Sequence, residues 1–280
     1  MQDAAGGPPE AGAEAIVTRA ISGAVATVTL NRARARNALS EAMLAELTAA
    51  LRAVEATPGV RVAILRAEGP AFCAGHDLKE MTAFRAEADG GRAGFARTFA
   101  ACATLMKTIV GLRQPVIAEV GGVATAAGCQ LVATCDLAVA GESARFGTPG
   151  VDIGLFCSTP MVALSRNVSR KHAMEMLLTG ELQSAARARE IGLVNRVVAD
   201  AALAEETRAL AEKIAAKSPK AVKIGKPAFY AQAQMTLEEA YAYTSEVMTE
   251  NMLAADAVEG VGAFIEKRPP SWPDDAPEES

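Results

Sequence analysis

Two short segments carry residue types from which an active site could be built. Residues 69–81 read GPAFCAGHDLKEM, and residues 121–141 read GGVATAAGCQLVATCDLAVAG. In each, an apolar strand-like run breaks at small residues and a helix-like run follows, starting near Asp77 in the first and near Gly128 in the second. Such a turn leaves backbone N–H groups without partners at the start of a helix, where partial positive charge gathers. Two turns facing one point would make an oxyanion hole, suited to a thioester carbonyl becoming an enolate, where each donor is worth about 3 kcal/mol in the transition state. Small residues also permit tight helix–strand packing, and the residues alone leave both readings open.

The elements that must position these segments follow from periodicity. Strands are expected at 16–21 and 24–30; in the second, Ala26, Val28 and Leu30 alternate with Thr27 and Thr29. A helix is expected at 40–56, with Ser40 as N-cap and Met43, Leu47, Leu51 and Val54 at helical spacing, ended by Pro58-Gly59. Val60, Val62, Ile64 and Leu65 read as a buried strand; a long helix follows at about 92–112, a strand at 115–120, a short helix near 128–134 and a strand at 137–140. Strand, turn and helix alternate, which predicts an α/β fold. From about 158 the chain reads as mostly helical, with periodic apolar runs at 159–178, 201–216, 237–253 and 256–266. Four parts are expected: a tail at 1–15, a core at 16–205, a helical oligomerisation region at 206–270 and a tail at 271–280.

Composition excludes several classes. The 280 residues are half apolar, enough for a large core without disulfides or metals, and the formal net charge of −5 offers no basic surface for nucleic acid. Cys73, Cys102, Cys129, Cys135 and Cys157 show no paired spacing, and His76 and His172 are the only histidines, so no metal-ligand cluster is read. The N-terminal residues carry Asp3, Glu10 and Glu14 and no basic residue, unlike a secretory or mitochondrial leader, so a cytoplasmic location is expected. The longest weakly charged stretch, 120–135, is interrupted by Gly121, Gly122, Gly128 and Gln130 and is too short and polar for a membrane span. No GxGxxG, P-loop or GxSxG pattern occurs.

The run AFCAGHDLKEM resembles the AFxAGxDLxEM motif of the enoyl-CoA hydratase/isomerase (crotonase) superfamily. AAGCQLVATCDLAVAGESARFGTPGVDIGL is similar to its GGGxELALxCDxxxAxxxAxFGxPExxxGL motif, Arg32 followed by Asn37-Ala38-Leu39 to its early segment, and FIEKR at 264–268 to its late one. Four motifs in order span about 16–270. Within the superfamily the chain resembles the enoyl-CoA hydratase domain-containing members that lack both catalytic glutamates. The resemblance implies a spiral of repeated ββα units followed by helices that assemble a trimer or a dimer of trimers.

It also implies site roles. One oxyanion amide would come from His76, just before the motif aspartate, and the other from Ala127, in the middle of the small-residue run. The two hydratase glutamates would stand at Gln130 and Gly150. Hydration needs a base for water and an acid for the α-carbon; Gln130 cannot exchange a proton near neutral pH, Gly150 has no side chain, and each lost group costs about 10²- to 10⁴-fold. Asp152, two residues past Gly150, and Cys157, as a thiolate nucleophile near a helix start, are candidate replacements; an inert buried cysteine is the alternative for Cys157. The His76 imidazole could act as acid or base or only pack, and Gln130 could orient a water or only cap the pocket. Coenzyme A, as the thioester substrate rather than a resident cofactor, would be held by Arg36, Asn37, Ala38, Ala74, Lys79 and Lys267.

The expected function is therefore acyl-CoA thioester binding in fatty acid or acyl-CoA metabolism, with enolate stabilisation by two amides, as in a lyase, and without ordinary hydratase activity. The alternatives are a non-catalytic acyl-CoA binder or sensor, and a thioesterase- or decarboxylase-type enzyme of the same superfamily.

Overall fold

Residues 17–30 form a hairpin whose second strand carries the expected alternation. In the computed structural model, which describes residues 15–272, β1 (Val17–Ser22) pairs antiparallel with β2 (Val25–Leu30), Val17 opposite Leu30 and Ser22 opposite Val25. The tails expected at 1–15 and 271–280 lie almost wholly outside the described residues. Ser40 caps α1 (Glu41–Glu55), its hydroxyl accepting the Met43 N–H at 3.2 Å, and Met43, Leu47, Leu51 and Val54 form the buried stripe.

From here one pattern repeats three times: a strand in a first sheet, a short strand in a second sheet, then helix. The first turn is β3 (Val62–Ala67), β4 (Ala71–Cys73), α2 (Leu78–Phe84) and α3 (Arg92–Gly111). The second is β5 (Val116–Val120), β6 (Val123–Thr125) and α4 (Ala127–Thr134). The third is β7 (Leu137–Gly141), β8 (Arg145–Gly147), a 3₁₀ turn over Pro149–Ile153, α5 (Pro160–Asn167) and α6 (Arg170–Thr179). The two-residue β9 (Gln183–Ser184), α7 (Ala185–Glu190) and β10 (Arg196–Val198) close the spiral. The six-stranded sheet runs β1-β2-β3-β5-β7-β10 and the four-stranded sheet β4-β6-β8-β9; all pairs are parallel except β1–β2 and β8–β9. This is the ββα spiral the resemblance implies.

Among the described residues four helices follow: α8 (Leu203–Ala215), α9 (Pro219–Gln232), α10 (Leu237–Leu253) and α11 (Ala255–Glu266). The boundary expected at 205/206 falls inside α8. That helix packs Leu203, Leu210, Ala211 and Ala215 on Val62, Ile64, Ile117 and Val139, so it covers the second face of the large sheet and belongs with the core. Among the described residues no helix is long and apolar enough to cross a membrane.

A polar staple holds α9 to the sheet. Lys226 Nζ donates to Ile109 O (2.9 Å), Gln114 O (3.0 Å) and Asp136 Oδ2 (2.7 Å), using all three of its protons. Asp136 also accepts the Tyr230 hydroxyl at 2.9 Å and the Val116 N–H at 2.7 Å. The aspartate of the CD pair in the second motif is thus a structural residue that starts β5 and anchors α9.

On the α8 side of the sheet, Glu119 is buried, with Arg66 Nε 3.6 Å from its Oε1. Burial raises the Glu119 carboxyl above its ordinary range, and Arg66 only partly opposes this. The folded state therefore holds this proton to higher pH than the unfolded chain does. Its contribution to stability is full below the ordinary carboxylate value and is lost as pH rises through the raised folded value. Glu119→Gln should melt at a higher temperature than the parent near neutral pH and at the same temperature below about pH 4, as read by circular dichroism; a lower melting temperature near neutral pH would contradict the sign.

Candidate functional site

The two small-residue turns meet. Gly75, with φ +94°, lies so close to the start of α4 that a Cβ there would stand 3.0 Å from Ala126 Cβ and 3.5 Å from Ala127 N. Gly128 admits no side chain either: a Cβ would fall 2.0 Å from Cys73 O, where the end of β4 crosses the first turn of α4. The small residues thus allow tight packing, and that packing is what brings the two turns together.

Each turn presents an amide. Leu39 N–H donates to Gly75 O (2.8 Å) and Asp77 N–H to Leu39 O (3.2 Å), so the 74–77 segment pairs with the early loop in parallel fashion. The His76 N–H lies between these bonds on the opposite edge and has no acceptor among the described residues. Ala127 is the first residue of α4, where an amide has no intrahelical partner, and its N–H also meets no acceptor among the described residues.

The backbone strain lies one residue before Ala127. Ala126 has φ 50° and ψ −118°, a conformation suited to glycine. Its own N–H is held by Gly147 O at 2.9 Å and its carbonyl accepts the Gln130 N–H at 3.0 Å, so the surroundings impose the geometry. Ala126→Gly is expected to raise stability by about 1 kcal/mol, the strain relieved less the flexibility added to the unfolded chain. An urea midpoint at or below the parent value would contradict it.

The early loop is tied to the same place. Arg32 Nη1 meets Asp77 Oδ2 at 2.8 Å, and Asp77 Oδ1 accepts the Lys79 and Glu80 amides at 3.1 and 3.3 Å, capping α2. Burial would raise the Asp77 carboxyl, but the Arg32 hydrogen bond and the two amides outweigh it and hold it below the usual carboxylate range. Asn37 was expected to shape the coenzyme groove. Instead it is fully buried, accepting Arg32 N–H (2.8 Å) and donating to Glu68 O (2.9 Å) and Ala71 O (2.8 Å). Its carboxamide is spent on holding the loop to β4, and it has no face left for a ligand. Arg36 is exposed in a left-handed conformation, its carbonyl accepting the Ala74 N–H at 3.1 Å. Ala38 and Ala74 are half-buried beside it, and Lys79 is exposed on the first turn of α2. Lys267 is the exposed left-handed cap of α11, far along the chain from this cluster. The neighbouring Arg268 is committed to Glu259 and Glu266.

Gln130 is 5 % exposed on α4, with the Cys102 Sγ 3.9 Å from its Oε1; its Nε2 donates to no described residue. At Gly150 the space for a side chain is filled: a Cβ would stand 2.4 Å from Leu155 O and 2.8 Å from Cys157 Sγ. The loop after the 3₁₀ turn folds back here, Leu155 N–H donating to Gly150 O at 2.8 Å. Cys157 is 7 % exposed, and burial pushes its thiol up, with the Gly150 amide only partly offsetting this. That environment disfavours the thiolate a nucleophile needs. Cys73, Cys102 and Cys129 are likewise pushed up to about 12 by burial. Asp152 is exposed, with its carboxylate against the turn at Gly180 rather than against Gly150.

The His76 ring nitrogens are shielded from solvent and have no hydrogen-bond partner among the described residues. Its ring meets Phe99 edge-on, centroids 5.5 Å apart. Burial lowers the imidazole below the ordinary histidine value; the nearby Leu39 carbonyl, already taken by Asp77 N–H and not at bonding geometry to the ring, opposes this only in part. Phe99 carried no sequence signal of this role, because its contact is made between elements rather than along one.

A two-sheet ββα spiral of mostly parallel strands followed by C-terminal helices is the architecture of the crotonase class of proteins. The enoyl-CoA hydratase/isomerase family profile matches residues 20–275. The chain is 49% identical over 245 residues to the enoyl-CoA hydratase domain-containing protein 3, mitochondrial, of Xenopus laevis, covering 88% of this chain and 82% of that protein. It is 47% identical over 248 residues to the protein of that name from Homo sapiens, covering 89% and 80%. Among solved structures, an enoyl-CoA hydratase of Mycobacterium smegmatis matches with a TM-score of 0.88 and 53% identity, over 92% of this chain and 99% of that one. The chain belongs to the enoyl-CoA hydratase/isomerase family. The cytoplasmic expectation is corrected by these relatives: the frog and human proteins are both named mitochondrial, which points to that compartment rather than the cytoplasm. The acidic N-terminal residues on which that expectation stood lie outside the described residues.

Proposed function

We propose that the protein binds acyl-CoA thioesters and polarises the thioester carbonyl between the His76 and Ala127 amides, stabilising an enolate without catalysing hydration. The observation that carries this reading is the pair of acceptor-free amides on turns packed against each other through Gly75. Two fixed donors cost no reorganisation when charge develops on an oxygen between them. The relatives' names supply the substrate class. The positions where hydratases hold glutamates have neither carboxylate nor, at Gly150, room for one. Arg36, exposed in the early loop, and Lys79, exposed on the first turn of α2, are the proposed contacts for the coenzyme's phosphates. Leu237, Tyr241, Met248, Met252 and Leu253 on α10 and Val258, Val261, Phe264 and Ile265 on α11 are exposed apolar side chains, which favours a trimer or dimer of trimers built through these helices.

Calorimetry tests the binding. Butyryl-CoA should bind at least about tenfold more tightly than S-butyl-CoA, the thioether lacking the carbonyl, because two hydrogen bonds to that oxygen are lost. Equal affinity would remove the two amides from the account, and no affinity for either would remove the acyl-CoA reading.

A further inference from the structure

Helix α2 follows directly on the His76 amide, yet none of its residues is buried. Polar ties rather than apolar packing must therefore hold its start. The backbone bridge of Gly75 and Asp77 with Leu39 is one tie, and a segment held by a single bridge can turn about it. The Arg32–Asp77 ion pair is a second. The third is Glu80, whose Oε2 accepts the Glu41 N–H at 2.9 Å. Glu41 is the first residue of α1 and stands two residues after Leu39, so the bridge and this bond fasten neighbouring stretches of the two segments side by side. An amide at that place in a helix has no intrahelical partner, and the cap residue Ser40 takes the Met43 N–H instead. A carboxylate there makes a charge-assisted bond that the helix dipole strengthens.

The third tie belongs to a closed circuit. Glu41 Oε1 accepts from Arg97 Nε at 2.9 Å and from the Thr98 hydroxyl at 3.4 Å, both on α3. The Arg97 guanidinium in turn lies 5.5 Å from the ring centroid of Phe84, the last residue of α2. Phe99, next along α3, meets the His76 ring. Both ends of α2 are thus bound to α1 and α3. The Glu41–Arg97 pair is largely exposed, and such pairs hold little. The half-buried Glu80 bond to a backbone amide is the stronger link of the circuit.

We propose that Glu80 is a positioning residue of the site: by holding the first amide of α1 it stops the 74–77 segment from turning about the Leu39 bridge, and so fixes the direction of the His76 N–H. This rests on the acyl-CoA reading above. Glu80 touches no ligand. It acts only as an acceptor, so a carboxamide oxygen in its place serves equally.

The test compares butyryl-CoA with S-butyl-CoA by calorimetry on the full chain and on its Glu80 variants. The preference of the parent for the thioester, about tenfold, should fall to about threefold in Glu80→Ala, because one of two bonds to the carbonyl oxygen is misdirected, while the affinity for S-butyl-CoA is unchanged. Glu80→Gln, whose carboxamide oxygen still accepts the Glu41 N–H, should keep the full preference. One lost cap removes a small part of a domain's stability, so Glu80→Ala should remain folded by circular dichroism. Glu80→Met, which has no comparable acceptor, should repeat the alanine result with the stem in place. An unchanged preference in both of these variants, including one in which the two ligands weaken together, would mean that the bond serves the fold alone and would overturn the proposal. A preference lost equally in Glu80→Gln would overturn it too. No preference in the parent would overturn the two-amide reading first, and this inference with it.

Discussion

Crotonyl-CoA incubated with the purified protein should be hydrated about 10⁴-fold more slowly than by a family hydratase with both carboxylates. By the motif resemblance, Gln130 would stand in place of the first, and it offers a carboxamide that neither gives nor takes a proton near neutral pH. Restoring the carboxylates singly should not restore the rate. Gln130→Glu places an acid at a position 5 % exposed beside Cys102, with no partner for its charge. Gly150→Glu is worse placed, because the Leu155 carbonyl and the Cys157 sulfur already occupy the space its Cβ would need. The loop already fills the space beside Gly150, so the second substitution should also destabilise the fold through overpacking, by about 1–3 kcal/mol or more. Loss of the conjugated thioester absorbance measures the rate. Turnover within tenfold of a two-glutamate hydratase would contradict the account.

Removing Asp136 should have the largest effect on stability. Asp136→Ala deletes a carboxylate that accepts from Lys226, Tyr230 and the Val116 amide, and leaves the Lys226 ammonium enclosed beside two carbonyls with its counter-charge gone. Breaking one partner of such a buried pair costs about 3–5 kcal/mol. The additional change Lys226→Met should recover part of this loss, since the stranded charge is then absent too. Urea denaturation provides the measurement, and a loss under about 1 kcal/mol for Asp136→Ala would show that the staple does not hold α9. Hydrogen exchange in Pro219–Gln232 should accelerate first, because only Pro219 and Ala228 of that helix are buried.

What was legible in the sequence was whatever is written within one element. Ser40 and the Met43, Leu47, Leu51 and Val54 stripe announce α1, and Asp77 announces α2, because caps and helical spacing are local. The second sheet was not legible: β4, β6, β8 and β9 are two or three residues each, too short to show an alternation, and they exist because the spiral lays them beside one another. Helix α9 was also hidden. Pro227 lies inside it, its lysines interrupt the apolar period, and its hold on the core is the Lys226 network rather than a greasy stripe. In the site, the two turns were visible as small-residue runs, but their meeting at Gly75 and Ala126 is a tertiary fact. The structural task of Asn37 was hidden for the same reason: its acceptors, Glu68 O in the turn before β4 and Ala71 O in β4, lie on a segment that no local pattern connects to it. The location reading failed on different grounds, since it took the acidic first residues as decisive where relatives carry a mitochondrial name.

The central claim is that the His76 and Ala127 amides converge on a thioester oxygen. The most direct measurement is the infrared difference spectrum of butyryl-CoA labelled with ¹³C at the carbonyl, free and bound to the protein. Two fixed donors on one oxygen lower the order of the C=O bond, so the bound carbonyl stretch should lie at lower frequency than in water. A bound stretch at or above the aqueous frequency would mean that the amides do not meet the carbonyl, and the account of this site would be contradicted.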